Sequence, residues 1–171
     1  FEGFAAAFNV PSRRAGNPKQ FTVPNYIASH PGSDVHAMID LALFLKRNGY
    51  RPDQVQDFIP APFDIATCMY YTGVDPMTKQ TVAVAHGMRD RKMQRALMQF
   101  FKPENYFLVR EALVNADRGD LIGSGCDCLI PAHPPREAIE ARRRQSDEAA
   151  RGDHYHSVAN PAKGEPAGER G

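Results

Sequence analysis

The three cysteines are the side chains of this sequence best suited to bind a metal or to act as nucleophiles. Cys126 and Cys128 are separated by one residue, and Cys68 lies far from them along the chain. Isolated thiols of this kind are more often small apolar or loop residues than metal ligands. His133, His154 and His156 lie in a polar segment without further ligands. We therefore predict no metal site and assign no catalytic residue in this chain.

A turn with the sequence Ser29-His30-Pro31-Gly32 is the strongest candidate for ligand binding. It follows a predicted strand, Gln20–Ser29, and precedes a predicted helix, Asp34–Asn48, for which Ser33 is a suitable cap. Such a turn leaves backbone N–H groups free at the carboxyl edge of a parallel sheet, where ligands of these folds bind. Gly32 would permit close approach of the backbone. A single histidine such as His30 is not by itself a sign of a catalytic base.

The elements around this turn indicate an α/β protein. A second strand at Gln54–Ile59 completes a strand–helix–strand unit with parallel strands. Ala66–Tyr71 and Thr81–Ala85 resemble a β-hairpin with a long turn. A helix pair follows. The first helix carries Met93, Leu97, Phe100 and Phe101, and the second carries Leu108, Ala112 and Leu113, with Pro103 at its first turn.

The two ends of the chain differ from this central part. Phe1, Phe4, Ala5 and Phe8 place an amphipathic helix at the start with no capping residue before it, so we expect the sequence to continue a longer protein. After about Pro131, Pro, Gly, Arg and Glu replace large apolar residues. We predict a disordered tail from about residue 136, with at most an exposed helix.

Composition excludes some classes of protein. With 42% hydrophobic residues in 171, the chain can form one ordinary core. The net charge of +1 provides no overall field that would attract nucleic acid or an acidic membrane. No apolar run approaches the roughly 18 residues of a membrane span. An odd number of cysteines without a signal peptide favours a reducing, cytoplasmic location.

Five segments of the sequence are distinctive when taken together: Tyr26–Ser33, Leu45–Pro62, Ala66–Pro76, Phe101–Asn105 and Leu121–Gly123. They resemble the YgiQ-like family of radical S-adenosylmethionine proteins. The turn and its flanking strands are similar to the fifth strand, fifth helix and sixth strand of the radical S-adenosylmethionine barrel, and the likeness continues to about Pro135.

The resemblance implies a fold, a division of the chain and a set of site residues. Residues 1–66 would be the terminal βα elements of a partial TIM barrel, residues 67–135 an α+β extension, and residues 136–171 the tail. S-adenosylmethionine would lie against the turn and the end of the following strand. The residues implied are Ser29, His30, Pro31, Gly32, Gln56, Phe58 and Ile59.

The resemblance also implies a [4Fe–4S] cluster in the parent protein, bound by a Cys-x-x-x-Cys-x-x-Cys motif that this chain lacks. We therefore expect the partner of this chain to be the amino-terminal part of the same protein, with an unknown substrate and no activity of the chain alone. Two alternatives remain: a stand-alone interaction module that docks a partner through the helix pair, and an RNA-contacting accessory segment. A cysteine motif in the coding sequence upstream of Phe1 would distinguish the enzyme from both.

Overall fold

The computed structural model describes residues 2–16 and 24–152. Within these ranges the chain forms six α-helices and a two-stranded sheet. Their bounds are α1 Glu2–Arg14, β1 Tyr26–Ala28, α2 Val35–Arg47, β2 Val55–Asp57, α3 Ile65–Thr72, α4 Met88–Met98, α5 Tyr106–Asn115 and α6 Arg136–Gly152; short 3-10 helices span Pro103–Asn105 and Gly119–Leu121.

The predicted strand–helix–strand unit is confirmed. β1 and β2 are adjacent and parallel, with Tyr26 opposite Val55, Ile27 opposite Gln56 and Ala28 opposite Asp57. The strands are shorter than predicted, and Gln20–Val23 of the first predicted strand lie outside the described residues. The structure shows an open two-stranded sheet in which both strands are followed by ordered turns.

The cap of α2 is one residue later than the sequence predicted. Asp34, rather than Ser33, is the N-cap, and its carboxylate accepts a 2.8 Å hydrogen bond from the Ala37 N–H. A carboxylate at this position also interacts favourably with the helix dipole. The apolar face of α2 that follows is fully buried at Ile39, Ala42 and Leu45.

The predicted hairpin is wrong in its first strand. The residues from Ala66 to Tyr71 are helical in α3, which Asp64 caps and which ends at Gly73 in the left-handed conformation, with φ of 66°. After α3 the chain reverses direction, and Val74 and Thr81 form an isolated antiparallel bridge. The second predicted strand is therefore reduced to a single bridge and an extended segment.

The core lies between α2, α4 and α5, and the predicted helix pair α4 and α5 is confirmed. Leu97, Val109 and Leu113 are completely buried there with Ile39 and Leu45 of α2. Pro103 begins the 3-10 helix that precedes α5. The sheet lies against α4, which contacts both strands.

The segment after Pro135 packs more than predicted. α6 is a helix of 17 residues, and Ala138 in its first turn is 1% exposed and belongs to the core. The guanidinium of Arg142 lies over the Phe107 ring, 4.5 Å from its centroid. Arg136 and Glu140, four residues apart on α6, form an ion pair at 2.8 Å. The remainder of the predicted tail, residues 153–171, lies outside the described residues.

Candidate functional site

The carboxyl ends of β1 and β2 bring most of the predicted site residues to one edge of the sheet. The Phe58 N–H donates a 2.8 Å hydrogen bond to the Ala28 carbonyl, which extends the pairing one residue beyond the strands. Ser29 and Phe58 therefore follow the strands side by side. The turn from Ser29 to Ser33, here called the 29–33 turn, begins at this point and leads into α2.

The 29–33 turn has an unusual backbone. Ser29 has a φ of 63°, although it is not glycine, and its side chain and backbone are 2% exposed. A non-glycine residue in the left-handed region costs about 1–2 kcal/mol, so the surrounding contacts must stabilise this conformation. Gly32 also has a positive φ, of 90°, a conformation that glycine adopts without strain, and no group of the described chain beyond its two neighbours in sequence lies within 4 Å of the position where its Cβ would be.

Three N–H groups of this turn are already hydrogen-bonded within the chain, which corrects the prediction that such groups are free. The Ser29 N–H donates to the side-chain oxygen of Gln94 at 2.8 Å. The Gly32 N–H donates to the Ala83 carbonyl at 2.8 Å, and the Ser33 N–H donates to the His30 carbonyl at 3.0 Å. A ligand at this edge would thus contact side chains and carbonyl groups rather than these three amides.

Helix α4 contacts both strand ends through polar side chains. Besides its bond to Ser29, Gln94 donates from Nε2 to the Ser33 carbonyl at 2.9 Å. On the other strand, Arg91 donates to the Phe58 carbonyl at 2.9 Å and Arg95 forms an ion pair with Asp57. Three side chains within about one turn of α4 therefore fix the geometry of this edge.

A row of aromatic rings covers the same edge. The His30 ring meets the Phe58 ring edge-on with centroids 5.2 Å apart, and Tyr70 of α3 lies 5.8 Å from Phe58. His86 continues the row at 4.8 Å from Tyr70. Such ring pairs add to the energy of burial and hold their members in fixed relative orientations. The row supplies flat apolar surfaces with two imidazole groups.

The predicted site residues differ in exposure. Ser29, Pro31 and Phe58 are buried, whereas His30 and Gly32 are exposed. Gln56 is also exposed, opposite Ile27 on the face of the sheet away from α4, and Ile59 is 79% exposed. The exposed members are the ones available for direct contact with a ligand, and the buried ones shape the backbone beneath it.

Three buried polar atoms at this edge lack a hydrogen-bond partner within the described chain. They are the Ser29 hydroxyl, one carboxylate oxygen of Asp57 and Nε of Arg91. Buried polar groups are nearly always satisfied in folded proteins, so unsatisfied ones collect where a ligand, water or neighbouring segment completes the structure. All three belong to residues that form or support the two strand ends.

The cysteines do not converge. Cys68 is exposed on α3, and Cys126 is exposed in the loop before residue 130. Cys128 packs against this loop, where its Sγ lies 3.5 Å from the Asp120 carbonyl oxygen, and its own carbonyl accepts a hydrogen bond from Lys46. Among residues 2–16 and 24–152, no group of three or more His, Cys, Asp or Glu side chains has the geometry of a metal site.

Sequence reasoning missed the residues that support the site from other elements, including Gln94, Arg91, Tyr70 and His86. The Ser29–Gln94 contact joins residues 65 positions apart in the sequence, and no local sequence pattern predicts a contact between residues so far apart. One signal was present for Gln94. It precedes Leu97 and Met98 by three and four residues, so it lies on the buried face of α4.

Residues 53–170 match the family described as a domain of unknown function, DUF3362. A UPF0313 protein of Clostridium botulinum (strain 657 / Type Ba4) is 54% identical over 112 residues, which make up 66% of this chain and 18% of that protein. A UPF0313 protein of Methanocella arvoryzae is 43% identical over 139 residues, 81% of this chain and 23% of that protein. One of Bradyrhizobium diazoefficiens is 41% identical over 141 residues, 79% of this chain and 21% of that protein.

The chain thus spans about a fifth of the length of the curated relatives it matches. No solved structure matches it. In the part of the chain that the structure describes, no helix combines the length and the apolar character that crossing a bilayer requires.

Proposed function

Because the chain belongs to the DUF3362 family and its match to a UPF0313 relative covers only 18% of that protein, we propose that it is the carboxy-terminal part of a YgiQ-like radical S-adenosylmethionine protein. The parent protein would bind a [4Fe–4S] cluster, which supplies the electron that cleaves S-adenosylmethionine reductively. Its substrate is unidentified. This chain would contribute the last strands of a barrel and one edge of the pocket for S-adenosylmethionine.

The observation that supports this proposal is the edge formed by two parallel strands and the 29–33 turn. In barrels built from parallel strands, ligands bind at the carboxyl ends of the strands. Here that edge carries the Ser29 hydroxyl without a partner, an exposed amide at Gln56 and the ring of His30 against Phe58. Amide groups and flat rings are suited to a nucleoside, because they can bond to a base edge and stack on its face.

The residues of this chain do not fit the cluster itself. Three thiolates must bind three irons of a [4Fe–4S] cluster, and the three cysteines here are dispersed over α3 and the loop before residue 130. The proposal therefore assigns the cluster ligands to another part of the parent protein. For the isolated chain of 171 residues we expect neither cluster uptake nor cleavage of S-adenosylmethionine.

The test is anaerobic reconstitution of the full-length gene product with iron and sulfide, followed by an assay for 5′-deoxyadenosine with a strong reductant. We expect product from the full-length protein and none from the isolated chain. The proposal fails if the full-length protein takes up a cluster and yet forms no 5′-deoxyadenosine, or if the gene encodes no cysteine motif upstream of Phe1.

A pair of exposed glutamines tests the contribution of this edge. Replacing Gln56→Ala should weaken S-adenosylmethionine binding about fivefold, as expected for one lost hydrogen bond. Gln145→Ala is the matched control, because Gln145 is also exposed but belongs to α6, outside the sheet. Equal affinities of the two variants would remove Gln56 from the site.

A second function, an interaction module without catalytic activity, is favoured by the self-contained core. α2, α4 and α5 bury Ile39, Leu45, Leu97 and Leu113 completely against each other, so this part has the core of an independently folding unit. Under this alternative the isolated chain would unfold cooperatively and would bind a partner protein, and the full-length protein would not cleave S-adenosylmethionine. The assay above therefore separates the two functions.

A further inference from the structure

We infer that Gln94 is the positioning residue that fixes the conformation of the 29–33 turn, and that through this turn it sets the affinity of the site for its ligand. The identity of that ligand, S-adenosylmethionine, rests on the proposed function. The two hydrogen bonds between Gln94 and the turn do not depend on the proposed function. Since Gln94 lies within residues 53–170, the inference gives the domain of unknown function a specific task, which is to hold the ligand edge of the sheet in shape.

The 29–33 turn requires support from outside itself. Ser29 is in the left-handed region at φ 63° and is buried, so neither glycine freedom nor solvent relieves its conformation. Its N–H would be a buried donor without an acceptor if Gln94 were absent. The Ser33 carbonyl, at the other end of the turn, would likewise lose its bond to Gln94.

The side chain of Gln94 fits this requirement because a primary amide both accepts and donates. Oε1 accepts from Ser29 at 2.8 Å and Nε2 donates to Ser33 at 2.9 Å, so one planar group bridges the first and last residues of the turn. Gln94 is 6% exposed, which limits competition from water. An apolar side chain can make neither bond, and an ionised carboxylate can make only the first.

The helix that carries Gln94 is itself well anchored. Leu97 and Met98, one turn further along α4, are almost completely buried in the core. Arg91 and Arg95 of the same helix bond to Phe58 and Asp57, so α4 holds the end of β2 as well. The Ala83 carbonyl, which precedes α4, accepts from Gly32 and adds a third point of attachment to the turn.

The chain contains a close internal control. Gln99 lies five residues later, is 7% exposed, and also uses its side-chain amide to hold a loop, donating to the carbonyls of Pro52 and Asp53 at 3.1 and 2.8 Å. That loop precedes β2 and therefore lies at the opposite end of the sheet from the 29–33 turn. Substituting either glutamine removes one buried and one partly buried hydrogen bond, but only Gln94 supports the ligand edge.

The experiment compares Gln94→Met with Gln99→Met in the full-length protein. Two readouts are needed: the Kd for S-adenosylmethionine, and hydrogen exchange of peptides that cover residues 26–34 and 50–58. We expect Gln94→Met to weaken binding about tenfold and to accelerate exchange in residues 26–34. Gln99→Met should leave the Kd within about twofold of the unsubstituted protein and accelerate exchange in residues 50–58 instead. The thermal stabilities of both variants should fall by similar amounts.

Each outcome decides the inference. A Kd of Gln94→Met within twofold of the unsubstituted protein overturns the positioning role, and so does an equal loss of affinity in Gln99→Met. If the unsubstituted protein does not bind S-adenosylmethionine, the proposed function fails, and the exchange measurement alone decides whether Gln94 holds the turn. Should Gln94→Met fail to fold, Gln94→Glu replaces it. That variant keeps the acceptor for Ser29 but loses the donor to Ser33 when ionised. Relative to the unsubstituted protein, hydrogen exchange should therefore increase more at Ser33 than at Ser29.

Discussion

Asp75 shows at the scale of one residue how a loop depends on charge. Its carboxylate accepts hydrogen bonds from the Met77 N–H at 2.8 Å and the Thr78 hydroxyl at 2.7 Å. These donors, the backbone N–H of Met77 first, hold the pKa of Asp75 below its ordinary value. Since the ionised form is favoured in the folded state, its contribution to stability is present above the unfolded-state pKa and is lost as pH falls through the folded-state pKa.

We therefore predict that Asp75→Asn is destabilising at pH 7 and that this difference from the unsubstituted chain disappears in strongly acidic solution. The measurement is the free energy of unfolding of both chains across that range. Asp40→Asn, which removes an exposed carboxylate from α2, is the control and should change stability little at either extreme. A difference that grows on acidification would contradict the assignment.

Single residues also show what local sequence can and cannot predict. The sequence predicts that Gly32 allows close approach of the backbone, whereas the structure shows a different use of glycine there, a positive φ of 90°. The same backbone region at Ser29 had no such signal. It is stabilised by Gln94, 65 residues later, and contacts of that kind depend on the completed fold.

At the scale of elements, the beginning of α2 gives a direct test of the observed cap. Asp34→Ala should lower the free energy of unfolding by about 1 kcal/mol, because it removes the acceptor of the Ala37 N–H. Ser33→Ala should change stability by less than about 0.5 kcal/mol, because the Ser33 contact to Gln94 uses its backbone carbonyl. Urea denaturation of the two variants distinguishes them, and a larger effect at Ser33 would favour the cap that the sequence predicted.

The misassigned element, α3, shows why local propensity can fail. Thr67, Tyr70 and Tyr71 are residues that favour strands, and Gly73 was interpreted as part of a hairpin turn. The caps at the two ends were the more informative signals. Asp64 accepts from the Ala66 N–H at 3.0 Å, and Gly73 ends the helix in the left-handed conformation. By contrast, α2 and α4 were predictable because their apolar residues recur at helical spacing.

At the scale of the whole chain, α6 is part of the folded unit, and its removal tests this. Truncation after Pro135 should lower the free energy of unfolding by about 1–2 kcal/mol. It removes the buried side chain of Ala138 from the core and the cation–π contact between Arg142 and the Phe107 ring. Truncation after Gly152 removes only the polar segment and should change stability by less than about 0.5 kcal/mol. Thermal denaturation of both truncated chains provides the comparison; equal stabilities would mean that α6 contributes nothing.

The contact between α2 and the loop before residue 130 has a consequence for synthesis on the ribosome. Lys46 donates to the Cys128 carbonyl, 82 residues later, and Arg47 pairs with Asp127. At about 5–20 residues per second, roughly 4–16 s separate the translation of these partners. Ile39 and Leu45 of α2 gain their partners earlier, when Leu97 of α4 and Leu113 of α5 are translated. The hydrogen bond from Lys46 and the ion pair of Arg47 thus become possible only after the loop has left the exit tunnel, so they stabilise a core that is already complete in sequence.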